Sequence, residues 1–332
     1  MQQITYIAVI RTTLKTFTMK AIKILFIPIF LLIASTLFFS CDDEDDSISL
    51  APLIEHKGIY MDSFLYNGTL GNAAKEDALL AWCDEHDFTE IYLYNIGAIL
   101  GGAGTGANLS AFVDKAHNIV PRINVSFVSA GFGTSFTSIE NYHDNHYTKP
   151  DGIVSEIEFW NGDKTFPLDY EPWLDKVDSL KFGVTPRNST IKKQFYIGKI
   201  KNSGETPSLT IAKELVKRHD EIFLTNYHSN GYDLSASESE NSIKNKLRLL
   251  GQAGMELDKK VNIVILFSVF RESPSPHIFD YFDVTAGDNS FENAYVNWYD
   301  DFEDATDIDN KDYLNVKGYG IYRHTDARVA RP

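Results

Sequence analysis

Asp151 to Asn161 reads DGIVSEIEFWN, and in it Glu156 and Glu158 stand two residues apart. Side chains two apart on a strand point to one face, so these carboxyls share a site. Two carboxyls in one site push one pKa upward, and the group that keeps its proton can serve as a general acid. Val154 lies on the same face, while Ile153, Ser155 and Ile157 take the other, where the two isoleucines suit packing under helices. Burying two carboxylates without a partner costs several kcal/mol, a cost that function can justify. The bland alternative is an ion pair of these glutamates with Arg122 or Lys199 inside the fold.

A carboxyl pair of this kind needs a rigid frame. Strand-like runs occur at 57–64, 90–96, 122–129, 152–160, 195–201, 222–228, 261–270 and 319–324. Helix-like runs fall at 73–86, 107–118, 168–180, 208–219 and 239–254, with Ser208 and Ser239 as N-caps. The alternation predicts βα units around a parallel sheet, and eight strands predict a single-domain TIM (β/α)8 barrel over residues 56–332, irregular at 130–150 and 277–313. In such a barrel the working residues sit at the C-terminal ends of the strands, where Glu156 and Glu158 fall. LGGAGTGAN, Leu100 to Asn108, fits neither a dinucleotide fingerprint nor a phosphate loop with Lys and reads as a flexible rim loop.

DGIVSEIE resembles the D-G-x-D-x-D-x-E strand of family 18 glycoside hydrolases, the chitinases and endo-β-N-acetylglucosaminidases, which are TIM barrels with this motif on the fourth strand. Asp151 and Gly152 match its start, Glu158 falls on the acid/base glutamate and Glu156 on the middle aspartate. Val154 stands where the family has its other aspartate, and Glu156 is one methylene longer than the aspartate it replaces. The resemblance implies substrate-assisted retaining hydrolysis of N-acetylglucosamine-containing glycans. Glu158 would protonate the glycosidic oxygen, the substrate's N-acetyl carbonyl would attack the anomeric carbon, and Glu156 would orient the acetamido group. VSAGFG, Val128 to Gly133, loosely resembles the family's S-x-G-G. Asn226, Tyr227 and His228 end the sixth strand, where family members often carry a tyrosine for the acetamido group.

Sugar rings present apolar C–H faces that stack on flat side chains. Trp160, two residues past Glu158, is the expected platform, and Tyr94, Trp298, Tyr299 and Tyr322 are placed near strand ends or rim loops. Trp82, Trp173 and Cys83 read as helix-borne core. No cofactor is expected. DATDIDNKD, Asp304 to Asp312, lacks the glycine and terminal Glu of an EF-hand and reads as a solvated acidic rim. His143 and His146, three apart, have no apparent third ligand, so no metal is expected there.

The chain opens with two possible starts, Met1 and Met19. Two lysines, an apolar run from Ile24 to Phe39, Ser40 and Cys41 then follow in the layout of a secretory signal. Cys41 with the acids Asp42 to Asp46 resembles a bacterial lipoprotein signal with an export tag of surface-exposed lipoproteins. This implies lipidation at Cys41, a tether over 41–55 and an outer-membrane anchor at the cell surface. Loss of residues 1–40 removes four bases and no acid, taking the net charge from −15 to −19. Nucleic acid and anionic lipid carry the same sign and are poor partners for so acidic a domain, and no nucleic acid is expected. A non-catalytic glycan-binding barrel of a glycan-uptake system and a structural or adhesion lipoprotein are the alternatives to the hydrolase.

Overall fold

The computed structural model describes residues 52–65, 67–102, 105–129, 134–160, 165–172, 174–175, 191–227, 242–269 and 290–328. The leader, Cys41, Trp173, His228 and Ser239 lie outside the described residues. Eight parallel strands close into a barrel in sequence order: β1 (His56–Met61), β2 (Glu90–Leu93), β3 (Asn124–Ser129), β4 (Gly152–Ser155), β5 (Lys192–Ile197), β6 (Glu221–Thr225), β7 (Val261–Ser268) and β8 (Leu314–Tyr322). Each expected strand is present, and β8 pairs back onto β1 with Lys57 opposite Tyr319.

The helices are α1 (Ala73–Glu85), α2 (Ile96–Gly101), α3 (Thr105–Asn118), α4 (Thr134–Asn145), α5 (Ser208–Arg218), α6 (Ile243–Leu257), α7 (Phe291–Asp304) and the single turn α8 (His324–Ala327). The supposed rim loop at 100–108 is instead helical at both described ends, in α2 and α3. The irregular stretches at 130–150 and 277–313 contain α4 and α7. Ser208 is not a cap: it is the first residue of α5 behind Pro207, and its N–H donates to Asn202 Oδ1 at 2.8 Å. Ser242 caps α6, its hydroxyl accepting from the Asn245 N–H at 3.1 Å. Among the described residues no helix is long and apolar enough to cross a membrane.

Alternation along the strands divides the apolar residues between two cores. One lies between sheet and helices and holds Cys83, whose thiol burial pushes up to about 12, away from thiolate chemistry. The other fills the barrel with Tyr60, Tyr92, Val128, Val154, Phe223, Val264 and Leu266. Below this apolar layer, at the N-terminal end of the strands, His56, Glu90, Ser126, Gln194 and Glu221 form a buried polar layer. Above it lies the mouth. Val154 therefore belongs to the packing layer and is fully buried.

Lys246, on the first turn of α6, ties two strand ends at the mouth. Its ammonium donates to Thr225 O at 2.7 Å, to Thr225 Oγ1 at 3.0 Å and to Gly198 O at 3.2 Å. Burial lowers its pKa to about 7, while the three oxygen acceptors work in the opposite sense. The unfolded chain keeps this proton up to about 10.4. Between the two values the unfolded state binds more protons, so the native state gains stability as pH rises. Lys246→Met lacks that gain. Its stability relative to the parent is expected to fall by about 2 kcal/mol between pH 6 and pH 9, read from denaturant unfolding.

Candidate functional site

The inward positions of the strands continue upward into a ring of phenols and carboxyls. Tyr60 ends the inward row of β1, Tyr94 follows β2, Tyr196 stands on β5, Tyr227 follows β6 and Tyr322 ends β8. All but Tyr60 pack on the barrel core from its open side. Tyr60 meets Tyr92 with ring centroids 4.7 Å apart and Tyr322 at 5.8 Å. Glu156 and Glu158 rise from β4 into this ring. Phase and register thus bring together Glu156, Tyr94, Tyr227 and Tyr322, and the same phase adds two residues the sequence reading passed over, Tyr60 and Tyr196.

The ladder of β4 ends at Ser155, and one further bond, Glu156 N–H to Ser129 O at 2.9 Å, carries the extended backbone past it. Ile157 and Phe159 bury outward while Glu156 and Glu158 stay half-buried on the inner side. Residues 159–160 then turn. That turn takes Trp160 out of the alternation: it is 6% exposed, packs edge-on against Phe159 at 5.0 Å and lies 6.1 Å from Tyr196. A stacking platform needs an open face, and Trp160 presents none here.

Burial raises the Glu156 pKa to about 8, and the negative charge of Glu158 adds to it; the Tyr60 hydroxyl pulls the other way. The Tyr60 hydroxyl falls short of hydrogen-bond geometry toward Glu156, so its effect is that of a nearby dipole, and it has no formed hydrogen bond among the described residues. Glu156 therefore carries a proton at pH 7. The sequence reading placed that proton on Glu158; the deeper position of Glu156 is what favours the neutral form there.

The phenols are held neutral for related reasons. Burial, then Glu156, Tyr322 and Glu158, push Tyr94 up to about 12. Burial followed by Glu156 and Glu158 raises Tyr196, while a hydrogen bond with Tyr227 works against them. Burial, Tyr196, Tyr60 and Glu156 raise Tyr227 well above the ordinary range. Among the described residues, the causes acting on these groups include no cation. Such a mouth suits an uncharged ligand rich in hydroxyls with apolar ring faces.

The ion-pair alternative is not met at Glu156. Arg122 pairs with Asp151 at the opposite end of β4. Asp151 also accepts from the Val125 N–H at 2.8 Å and meets His117 Nε2 at 2.7 Å. The first aspartate of the motif is thus a structural knot at the strand entrance. Neither Arg122 nor Lys199 acts on Glu156.

Asn226 extends β6, its N–H donating to Leu266 O at 2.8 Å, and it is fully buried under the mouth. Trp298 is a correction: it lies on α7, fully buried, with its ring stacked on Phe302 at 5.5 Å. Tyr299 sits on the same helix, so neither residue reaches the rim. His143 is buried on α4, and His146, just past its end, stacks on Tyr142 at 4.7 Å. The glycines of the VSAGFG segment lie outside the described residues.

No known protein-family model matches the chain, and no curated protein sequence matches it. Solved barrels are similar at low identity. A family GH18 chitinase from Cycas revoluta in complex with allosamidin gives a TM-score of 0.46 at 10% identity, over 82% of this chain and 95% of that one. Concanavalin B gives 0.45 at 10% identity, over 82% and 94%. A putative deoxyribose-phosphate aldolase from Toxoplasma gondii ME49 gives 0.42 at 12% identity, over 81% and 89%. Hydrolases and aldolases stand together here, so the likeness is one of barrel architecture and selects no chemistry.

Proposed function

We propose that this barrel is a glycoside hydrolase acting on N-acetylglucosamine-containing glycans, with Glu158 as acid/base and Glu156 as the acetamido-orienting group. The observation that carries the reading is the carboxyl pair at the mouth, with Glu156 held neutral by burial and by Glu158. Phenols surround the pair, offering hydroxyls and flat apolar faces to a sugar.

In the proposed reaction the pair begins with one proton. When substrate enters, that proton passes to Glu158, leaving Glu156 as a carboxylate that accepts from the acetamido N–H. Glu158 gives the proton to the glycosidic oxygen as the bond from that oxygen to the anomeric carbon breaks. The acetamido carbonyl oxygen attacks the same carbon from the other face, and Glu156 balances the positive charge on the resulting ring. Glu158, now a carboxylate, takes a proton from water; the water oxygen bonds to the anomeric carbon and the acetamido group is released. Two displacements at one carbon retain its configuration. Proton NMR of a chito-oligosaccharide digest is expected to show the β-anomer first, before mutarotation. An α-anomer formed first contradicts this mechanism.

Val154 favours a second reading, a glycan-binding barrel without turnover. A buried apolar side chain occupies the place of the family's remaining aspartate, so the inner row of β4 offers one fewer carboxyl to share the proton. In either reading, a lipid on Cys41, made the first residue by loss of residues 1–40, would anchor the domain at the outer membrane, beside a glycan-uptake system.

A further inference from the structure

The polar layer at the N-terminal end of the barrel, opposite the mouth, has the composition and spacing of a cation site. His56 opens β1, Glu90 opens β2 and Glu221 opens β6, and each is at least nine-tenths buried. One donor atom from each lies within 4.8 Å of the others. His56 Nε2 stands 3.4 Å from Glu90 Oε2, and Nδ1 stands 4.0 Å from Glu221 Oε2. These separations are too long for good hydrogen bonds. Two ligands at ~2.0–2.2 Å from one tetrahedral metal stand roughly 3.3–3.6 Å apart, so the Nδ1–Glu221 pair must draw slightly closer to share one ion.

Gln194 supplies an independent sign. It is fully buried, and its amide reaches into the cluster, Nε2 donating to Glu221 Oε2 at 2.8 Å and to Glu90 Oε1 at 3.1 Å. Its Oε1 has no hydrogen-bond partner among the described residues. A buried amide oxygen without a donor costs free energy. Rotating the amide by half a turn gives up these two bonds and directs that oxygen between the two carboxylates, an arrangement that a bound cation makes favourable. Charge agrees: among the described residues Lys192, whose ammonium meets Glu221 Oε1 at 2.8 Å, is the one lysine paired with these two carboxylates. Tyr92 holds His56 Nε2, which leaves Nδ1, on the Glu221 side, as the nitrogen for a metal, in the way outer groups commonly fix the far nitrogen of a metal-bound imidazole; Ser126 donates to Glu90.

We infer that His56, Glu90, Glu221 and the Gln194 amide oxygen form a site for a divalent transition metal that pins β1, β2, β5 and β6 at the base of the barrel. One imidazole with oxygen ligands suits zinc or manganese better than calcium. The side chain of Lys192 is 42% exposed and marks the way in from solvent. The inference is independent of the chemistry at the mouth.

The purified full-length chain, stripped by chelator and dialysed against Zn²⁺ or Mn²⁺, is expected to bind one equivalent of at least one of them. At about a hundredfold excess over Kd its melting midpoint is expected to rise by on the order of 5 °C. Glu90→Gln is expected to abolish the uptake. Because that change also disturbs the bonds to Ser126 and Gln194, Lys192→Met provides a second handle at a partly exposed position. Removing the competing charge is expected to tighten binding about tenfold. Absence of uptake in the parent chain, or uptake that both variants leave unchanged, overturns the site and leaves the cluster as a plug of ion pairs.

Discussion

Glu158→Gln is expected to lower turnover of an N-acetylglucosamine-containing glycan by about a thousandfold or more while leaving its affinity within a few fold. The substitution keeps size and polarity and removes only the capacity to give and take a proton. The departing sugar oxygen leaves poorly as an alkoxide, so losing its proton donor falls mainly on kcat and not on KM. The position supports this role. Glu158 is half-buried at the mouth, one strand alternation beyond Glu156, and close enough to raise the pKa values of Glu156, Tyr94 and Tyr196. Steady-state kinetics beside calorimetric titration separates the two effects. Turnover equal to that of the parent removes Glu158 from the mechanism.

Glu156→Gln has the second large expected effect, on stability, and its sign depends on pH. The Glu156 pKa rises from 4.5 to about 8 on folding. Between these values the native state holds a proton that the unfolded chain has released, so the native state loses stability as pH rises through the window. The contribution is fully present below the unfolded value and gone above the folded one. At about 1.4 kcal/mol per pH unit the full effect approaches 5 kcal/mol, reduced to on the order of 3 kcal/mol because the carboxyl is partly open to water. The variant, neutral at every pH, should gain that much relative to the parent between pH 4.5 and pH 8.5. Parallel denaturant titrations at the two pH values measure it. A difference independent of pH would mean that Glu156 ionises as freely in the fold as in the unfolded chain.

The strands were legible because each is a short apolar run bounded by polar or turn residues, and their number determines the barrel. The crossovers were less legible where helices carry polar or aromatic sequences. α7, FENAYVNWYDDFED, buries Phe291, Ala294, Tyr295, Trp298 and Phe302 at helical spacing. Its many acids and aromatics nevertheless read as a rim stretch with sugar platforms. α4 is similar: Ile139 and Tyr142, three apart, pack into the core from a helix otherwise full of Ser, Asn and His.

At the site, alternation alone placed Glu156 and Glu158 at the mouth. It could have found Tyr60 and Tyr196 as well, since Gly58 and Tyr60, like Gln194 and Tyr196, share the inward phase with Glu90, Tyr92 and Tyr94. It misplaced Trp160 because alternation stops where the chain turns at 159–160. The cluster at the base was beyond reach of spacing arguments. Its members come from positions 56, 90, 194 and 221, and only the closed register of the strands brings them together.

The most direct test is a mass-spectrometric digest of a high-mannose N-glycoprotein and of chitin oligosaccharides by the purified chain, with Glu158→Gln alongside. The predicted result is release of fragments ending in N-acetylglucosamine by the parent chain and none by the variant. Release without calorimetric change in the variant's binding would fix Glu158 as the acid/base, and binding without release by either protein would select the glycan-binding barrel. Release undiminished in Glu158→Gln, or neither release nor binding by the parent chain, would contradict the proposed function.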